Sequence, residues 1–133
     1  MFSQFTYHGI VYSKKNSKQI VINKRTGKPQ IISNRKALAM ESDIATQLSA
    51  QNALKTLKTP FSGDCAVYMI VYQPDKRRRD LDNQATSILD GMVAAGILAD
   101  DNNEVVTELH IKNGGIDRED PRVEIEVENG SLL

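Results

Sequence analysis

Acidic and basic side chains are concentrated in one part of the chain, in an order that could support metal-assisted phosphate chemistry. Four consecutive cations, Lys76–Arg79, precede Asp80 and Asp82, and a second acidic pair, Asp100 and Asp101, follows later. Clustered carboxylates repel one another unless a proton, a cation or a metal ion compensates their charge. Hard oxygen ligands suit Mg²⁺ or Mn²⁺, and cations attract the phosphates of a nucleic acid. The pattern indicates a metal-dependent nuclease.

A purely structural role for the first acidic pair is the competing interpretation. Asp80 could be a helix N-cap, with Asp82 complementing the helix dipole, but this explains neither the preceding cations nor the second pair. Asp90 lies eight helical residues from Asp82, roughly 12 Å of rise, which is too far for both to bind one ion. A third ligand is therefore expected from the following loop, as Asp100 or Asp101.

The order and spacing of these residues carry a family resemblance. Residues 78–83 read RRDLDN, residues 89–91 read LDG, and residues 100–105 read DDNNEV. Together with the intervening helical segment, this pattern resembles the RusA-type Holliday-junction resolvases. The strong part of the resemblance covers about a quarter of the chain, and the remainder agrees in length and in the order of strands and helices.

The resemblance implies an endodeoxyribonuclease that cuts four-way or branched DNA in recombination and repair. It identifies Asp80, Asp82 and Asp101 as the catalytic and metal-binding residues, with Asp100 adjacent to them, and Mg²⁺ or Mn²⁺ as the cofactor. Because a four-way junction is cut at symmetric positions, it also implies a homodimer. One residue departs from the family pattern: Thr86 stands where the family has a lysine thought to assist catalysis, and Lys76 or Arg77 could substitute.

Basic residues predict where DNA would bind. Residues 1–79 carry 14 Lys and Arg against 4 Asp and Glu, whereas residues 80–133 carry 3 against 13, so the net charge of zero conceals a separation of charge. Cations in the first part would contact backbone phosphates. The candidates are Lys14, Lys15, Lys18, Lys76, Arg77, Arg78 and Arg79.

Two other function classes fit the same residues. The first is a non-catalytic module that binds branched DNA, in which the absence of the lysine at position 86 has removed the chemistry. The second is a metal-dependent phosphohydrolase acting on small nucleotides, although the chain has few aromatic residues to line a nucleotide pocket. Cleavage assays on DNA and on nucleotides distinguish them.

The elements that must position these residues follow from hydrophobic periodicity. In chain order they are a strand over 5–13, a basic hairpin within 18–33, a helix over 34–57, a buried strand over 65–72, a helix starting after Asp80, and strands over 105–111 and 122–127 around a turn-rich stretch over 113–121. In the first helix, Asn34 is the expected N-cap, and the expected inner stripe is Ala37, Met40, Ile44 and Leu48, continued by Leu54 and Leu57. We therefore predict an α/β (α+β) fold: one compact domain over residues 1–133, a mixed sheet with two main helices packed on it, and a frayed tail at 129–133.

Composition restricts the cellular setting. No apolar run of about 18 residues and no N-terminal signal pattern is present, so we expect a cytoplasmic protein without a membrane partner. The single cysteine, Cys65, lies in an apolar run and is expected to be a small buried side chain. His8 has no partner motif and is expected to be structural.

Overall fold

A computed structural model describes residues 2–12, 18–33 and 35–130 of the 133-residue chain. The elements, in chain order, are β1 (Phe2–His8), β2 (Lys18–Ile22), β3 (Pro29–Ser33), α1 (Arg35–Ala53), β4 (Cys65–Gln73), α2 (Leu81–Ala94), β5 (Val106–Ile116) and β6 (Arg122–Asn129). Within the described ranges, no helix is long and apolar enough to cross a membrane.

Four strands form a mixed sheet in the order β1-β6-β4-β5. β6 pairs antiparallel with both β1 and β4, and β5 pairs parallel with β4. β4 lies inside the sheet, as its continuous apolar sequence predicts, because an internal strand has neighbours along both edges. The predicted mixed sheet with two helices is confirmed.

One face of this sheet packs against both helices. Alternate residues of β4 and β6 point into a core that they share with α1 and α2, as the two-residue period of a strand requires. The core side chains include Val67, Met69, Val71, Val123, Ile125, Val127, Ile44, Leu48, Ile88 and Met92. Cys65 belongs to the same core, and burial raises the pKa of its thiol, which agrees with the expected small buried side chain.

Helix α1 has the predicted inner stripe, formed by Ala37, Met40, Ile44 and Leu48. The helix ends at Ala53, however, and not near residue 57. The continuation of the stripe to Leu54 is therefore wrong: this side chain is 88% exposed, because it lies in a turn beyond the helix. Asn34, the predicted N-cap, lies outside the described residues.

Two strands differ from the prediction at their ends. β1 covers Phe2–His8, although the apolar alternation suggested a strand continuing to residue 13. β5 runs on to Ile116 through two glycines that the sequence suggested were part of a turn. Gly114 is an extra residue of β5 between the pairs Val71–Asn113 and Tyr72–Gly115, so it forms a bulge in this stretch.

The predicted basic hairpin corresponds to β2 and β3, which pair with each other and form a separate two-stranded sheet. At the other end of the chain, Asn129 is the last residue of β6, and the Gly130 N–H donates to the Asp64 carbonyl at 2.8 Å. Residues 131–133 of the predicted frayed tail lie outside the described part of the chain.

Candidate active site

A short connector, residues 74–80, leads from the end of the internal strand β4 to the start of α2. One carboxylate folds this connector: Asp75 Oδ1 accepts hydrogen bonds from the Arg77 N–H at 2.8 Å and from Arg79 Nη1 at 2.9 Å. Arg79 Nη1 also donates to the Arg77 carbonyl at 3.1 Å. These bonds determine the path by which the chain reaches Asp80.

The consecutive cations of the connector therefore lie in two environments. The Arg79 side chain is only 13% exposed and is paired with Asp75, whereas Lys76, Arg77 and Arg78 are exposed. The bonds from Arg79 and from the Arg77 N–H lower the pKa of Asp75 to about 2. The run of cations predicts that Arg79 binds DNA together with its neighbours, and the role of Asp75 was missed, although the spacing of four residues between Asp75 and Arg79 is a signal for such a pair.

Asp80 occupies the N-cap position of α2 with an extended backbone, φ −81° and ψ 121°. Its carboxylate makes no capping hydrogen bond to the helix backbone, so the competing structural interpretation of this residue is not supported. Oδ2 of Asp80 accepts a 3.3 Å bond from the Asn83 side chain, through Nδ2. Both Asp80 and Asp82 are exposed at the start of α2 and can accept an external ligand.

The second acidic pair lies in the loop between α2 and β5. The beginning of this loop is held by hydrogen bonds that join Phe61 to Ile97 and Ala99, each 2.9 Å long. Asp100 Oδ1 then accepts from the Asp101 N–H at 2.7 Å. Asp100 thereby shapes the turn that presents Asp101.

Partial burial, the hydrogen bond with Asp100 and the charge of Asp90 raise the pKa of Asp101. A raised carboxyl pKa means that the surroundings disfavour the negative charge. A bound cation would relieve this cost. Asp90 thus acts electrostatically on Asp101 from the later part of α2.

Two of the acidic side chains, Asp82 and Asp90, lie on the same side of α2. Asp82, Thr86 and Asp90 are spaced at four-residue intervals and share a stripe of α2. Thr86 lies between the other two, and its hydroxyl donates to the Asp82 carbonyl at 3.0 Å. A longer side chain at position 86 would extend from the centre of this acidic stripe.

Chemically, the carboxylates of Asp80, Asp82, Asp100 and Asp101 are suitable ligands for a hard divalent cation. Across residues 2–12, 18–33 and 35–130, however, no three acidic, histidine or cysteine side chains are gathered tightly enough to form a metal site. The convergence of Asp80, Asp82 and Asp101 therefore stays a prediction.

A cleft of about 540 Å³ adjoins the connector. It is bounded by the connector on one side and by Asn113 and Ile116 of β5 on the other, so it lies where β4 and β5 both end. Exposed cations and the Asp80 carboxylate share this cleft. Such a combination suits a phosphate group that is approached by a cation.

Buried polar side chains that the sequence did not reveal attach α2 to β4 and to the segment that follows β1. Gln84 and Gln73 exchange two hydrogen bonds, of 2.9 and 3.0 Å, and Gln84 Nε2 also donates to the Val11 carbonyl at 2.8 Å. Ser87 Oγ donates to the Tyr12 carbonyl at 3.0 Å. Gln84 and Ser87 lie on the buried face of α2 among apolar residues. Their polar type was the only feature of the sequence that could have indicated a buried hydrogen bond.

The other basic residues that were predicted to contact phosphates lie earlier in the chain than the connector and α2. Lys14 and Lys15 lie outside the described residues. Lys18 is the first residue of β2, and the structure describes its backbone. The DNA-binding assignments of all three stay predictions.

Comparison with known proteins gives one family match. A family model described as "Endodeoxyribonuclease RusA" matches residues 12–128 of the chain. This range contains the connector, α2 and both acidic pairs. No curated protein matches the chain.

Proposed function

Since the chain belongs to the RusA endodeoxyribonuclease family, which implies endonuclease activity on Holliday junctions, we propose that its activity depends on a divalent metal ion and serves DNA recombination and repair. The observation that carries the metal-dependent part is Asp80. It stands at a helix N-terminus without capping the helix, and exposed cations precede it.

Each part of the candidate site has a role in this proposal. Asp80, Asp82 and Asp101 would hold Mg²⁺ or Mn²⁺, and Asp100 would keep Asp101 in place through the bond to its backbone N–H. When bound, the ion would supply a polarised phosphate and a more acidic water. Arg77 and Arg78 would bind the flanking phosphates and so hold the scissile bond near the carboxylates.

We further propose that the active species is a homodimer. A four-way junction has two equivalent strands to cut, and a dimer with two-fold symmetry presents one site to each.

The test is the replacement Asp82→Asn, which keeps the size of the side chain but removes its charge. We expect cleavage of a four-way junction with Mg²⁺ to fall by more than about 100-fold, because a lost ligand weakens the metal site. Junction binding should be retained or strengthened, since one negative charge near the phosphates is removed. Calorimetric titration with Mn²⁺ should show weaker metal binding.

The matched control is Glu126→Gln, the same change of carboxylate to amide on the sheet face away from the helices, which should leave cleavage and Mn²⁺ binding unchanged. Cleavage by Asp82→Asn at the wild-type rate would reject the metal assignment.

One observation favours a non-catalytic, branched-DNA-binding protein as the second candidate. At the position of the family lysine, Thr86 donates its hydroxyl to the helix backbone and supplies no cation. If the wild-type protein retards a junction on a gel but leaves junction, fork and duplex DNA uncut with either metal, this second candidate is correct. Release of phosphate from nucleotides, with DNA uncut, would instead indicate a nucleotide phosphohydrolase.

A further inference from the structure

The two edge strands of the four-stranded sheet, β1 and β5, differ in whether their outward-facing backbone groups are hydrogen-bonded. At the β1 edge, two glutamines of α1 hydrogen-bond to the strand backbone in the way that a neighbouring strand would. The Gln51 amide accepts from the Thr6 N–H at 2.8 Å and donates to the Thr6 carbonyl at 2.6 Å. The Gln47 amide does the same for His8, with both bonds at 2.9 Å. The α1 glutamines therefore occupy the place of a neighbouring strand along the Thr6–His8 part of this edge.

The β5 edge is open along the described part of the chain. β5 has eleven residues and pairs with β4 on one side, and no described strand pairs with its other side. Its pairing with β4 is regular from Glu108 to Asn113 and is interrupted by a bulge at each end. A long unpaired edge is a template on which another strand can add.

The regular part of β5 is complementary to itself when reversed. If two copies are placed antiparallel with His110 opposite its own counterpart, Glu108 lies opposite the partner's Lys112, and Leu109 lies opposite the partner's Ile111. Both pairs occur twice because of the two-fold symmetry. Opposite charges and apolar side chains facing each other across strands are both stabilising.

The exposure of these residues fits that arrangement. Leu109 is 44% exposed, and contact with the partner's Ile111 would reduce this exposure. Glu108 and His110 are 60% and 56% exposed in their side chains, and Lys112 is exposed as well. All are accessible to a second chain.

We propose that two copies of this chain associate through antiparallel pairing of their β5 strands, centred on His110, to form one continuous eight-stranded sheet. The inference deepens the proposed homodimer by locating its interface, and in that respect it rests on the proposed function. The association itself needs neither DNA nor metal, so it can be measured without nuclease activity, and it can succeed even if the metal assignment fails.

Charged residues and bulges can also protect an edge from pairing. Protection requires only that charges are present, whereas the pairing proposed here requires opposite charges at equal distances from a centre. Moving the centre by one residue, to Leu109 or Ile111, places Glu108 or Lys112 opposite His110 and leaves no Glu–Lys pair. The sequence satisfies the stricter condition.

Charge reversal tests the proposed register. Glu108→Lys and Lys112→Glu each place two like-charge pairs in the dimer, so each should raise its dissociation constant at least tenfold in analytical ultracentrifugation. The double variant Glu108→Lys with Lys112→Glu restores both pairs in exchanged positions and should recover the wild-type value. Rescue by the double variant would not be expected if the single changes merely damaged folding.

Glu119→Lys is the matched control, because it reverses an exposed charge in the loop between β5 and β6. Its dissociation constant should equal that of the wild type. Circular dichroism of every variant separates a change in association from a loss of fold. The variant Asp82→Asn separates association from nuclease activity, because it should lose cleavage and keep the wild-type dissociation constant.

Site-specific cross-linking tests the centre of the pairing. In the proposed register, residue 110 lies opposite itself, about 5 Å apart between Cβ atoms. A short thiol-specific cross-linker should therefore join His110→Cys chains into dimers. In Thr107→Cys the introduced thiols would be separated by six residues along the strands, about 20 Å, and should not be joined. Cys65 is fully buried and does not interfere.

Three outcomes would overturn the proposal. They are a wild-type chain that remains monomeric at high micromolar concentration, a dimer whose dissociation constant is unaffected by either single charge reversal, and equal cross-linking at positions 107 and 110. The first outcome would mean that the charges and bulges of β5 protect the edge.

Discussion

The cations between β4 and α2 illustrate how neighbouring residues of the same type can have different functions. Arg78 is exposed, whereas Arg79 is mostly buried and bonded to Asp75 and to the Arg77 carbonyl. An arginine that is bonded to protein groups stabilises a conformation, and an exposed one is available to phosphates. Replacing each in turn should therefore give different phenotypes.

We expect Arg79→Ala to lower the melting temperature by about 3 °C, because the connector loses its ion pair and a backbone contact. Arg78→Ala should leave the melting temperature unchanged, weaken junction binding and lower the slope of log affinity against log salt by about one. Calorimetry and binding titrations at several salt concentrations measure these effects. The prediction is wrong if the two variants show the same phenotype.

The pH dependence of the unfolding free energy provides a further measurement on the ion pair between Asp75 and Arg79. Because the folded-state pKa of Asp75 is lowered from 3.8 to about 2, its stabilising contribution is complete above pH 3.8 and is lost as the pH falls toward 2. In Arg79→Ala this part of the acid dependence should be smaller.

Thr86 is the second residue at which a single change is informative. It is exposed between Asp82 and Asp90, where a lysine would bring a positive charge to the acidic stripe of α2. We expect Thr86→Lys to increase the rate of junction cleavage about tenfold or more, within the range of assistance that one positioned group provides. Single-turnover kinetics with Mg²⁺ measure the rate.

Thr86→Gln is the control, because it has similar length without charge and should leave the rate as it is in the wild type. An unchanged rate in Thr86→Lys would show that another cation already performs the role of the family lysine.

At the level of elements, the sequence predicted the strands and helices that carry strong apolar patterns. The bounds of β4 and the first residue of α2, which frame the candidate site, were placed almost to the residue. The end of α1 and the course of β5 beyond Ile111 were not, because the local sequence does not reveal tertiary contacts. Gly114 and Gly115 suggest a turn, but β5 continues through them, with Gly114 in a bulge and Gly115 paired with Tyr72 of β4.

The packing of α1 against α2 depends on a similar contact that the sequence does not reveal. Gly91 is buried on α2, and a Cβ atom at this position would collide with the Ile44 side chain of α1. Glycine normally disfavours a helix by about 1 kcal/mol relative to alanine. Here the close approach of the two helices outweighs that preference.

We therefore expect Gly91→Ala to destabilise the protein by about 1–3 kcal/mol, the usual cost of overpacking, even though alanine favours the helix. Chemical denaturation measures the change in unfolding free energy. Gly63→Ala is the control: its Cβ would meet only the Glu104 carbonyl, at 3.5 Å, an ordinary contact, and stability should stay within about 0.5 kcal/mol of the wild type. A stabilised Gly91→Ala would mean that the helices separate easily.

At the scale of the whole molecule, folding distributes the charge in a way that the totals of the two halves do not show. Glu124, Glu126 and Glu128 form a row on the sheet face away from the helices, as their alternation with Val123, Ile125 and Val127 predicts. This row repels phosphates, so DNA should approach from another side. Among the residues that the structure describes, the candidates for contact with DNA are the exposed cations of the connector and of the β2–β3 hairpin.

The tip of the β2–β3 hairpin concentrates three of these cations. Lys24, Arg25 and Lys28 are exposed around a turn in which Asn23 Oδ1 accepts from the Arg25 N–H at 2.9 Å. The turn also contains Gly27, whose positive φ of 69° suits glycine. A compact turn with exposed cations can contact the phosphates of a junction arm.

Replacing Lys24, Arg25 and Lys28 together by alanine should lower the slope of log affinity against log salt by about two to three, because each phosphate contact contributes about 0.9. The affinity at low salt should fall, and the difference from the wild type should shrink as salt rises. Lys58→Ala with Arg118→Ala, which removes exposed cations elsewhere, should change the slope by less than one. An unchanged slope in the triple variant would show that the hairpin does not contact DNA and that the connector cations act without it.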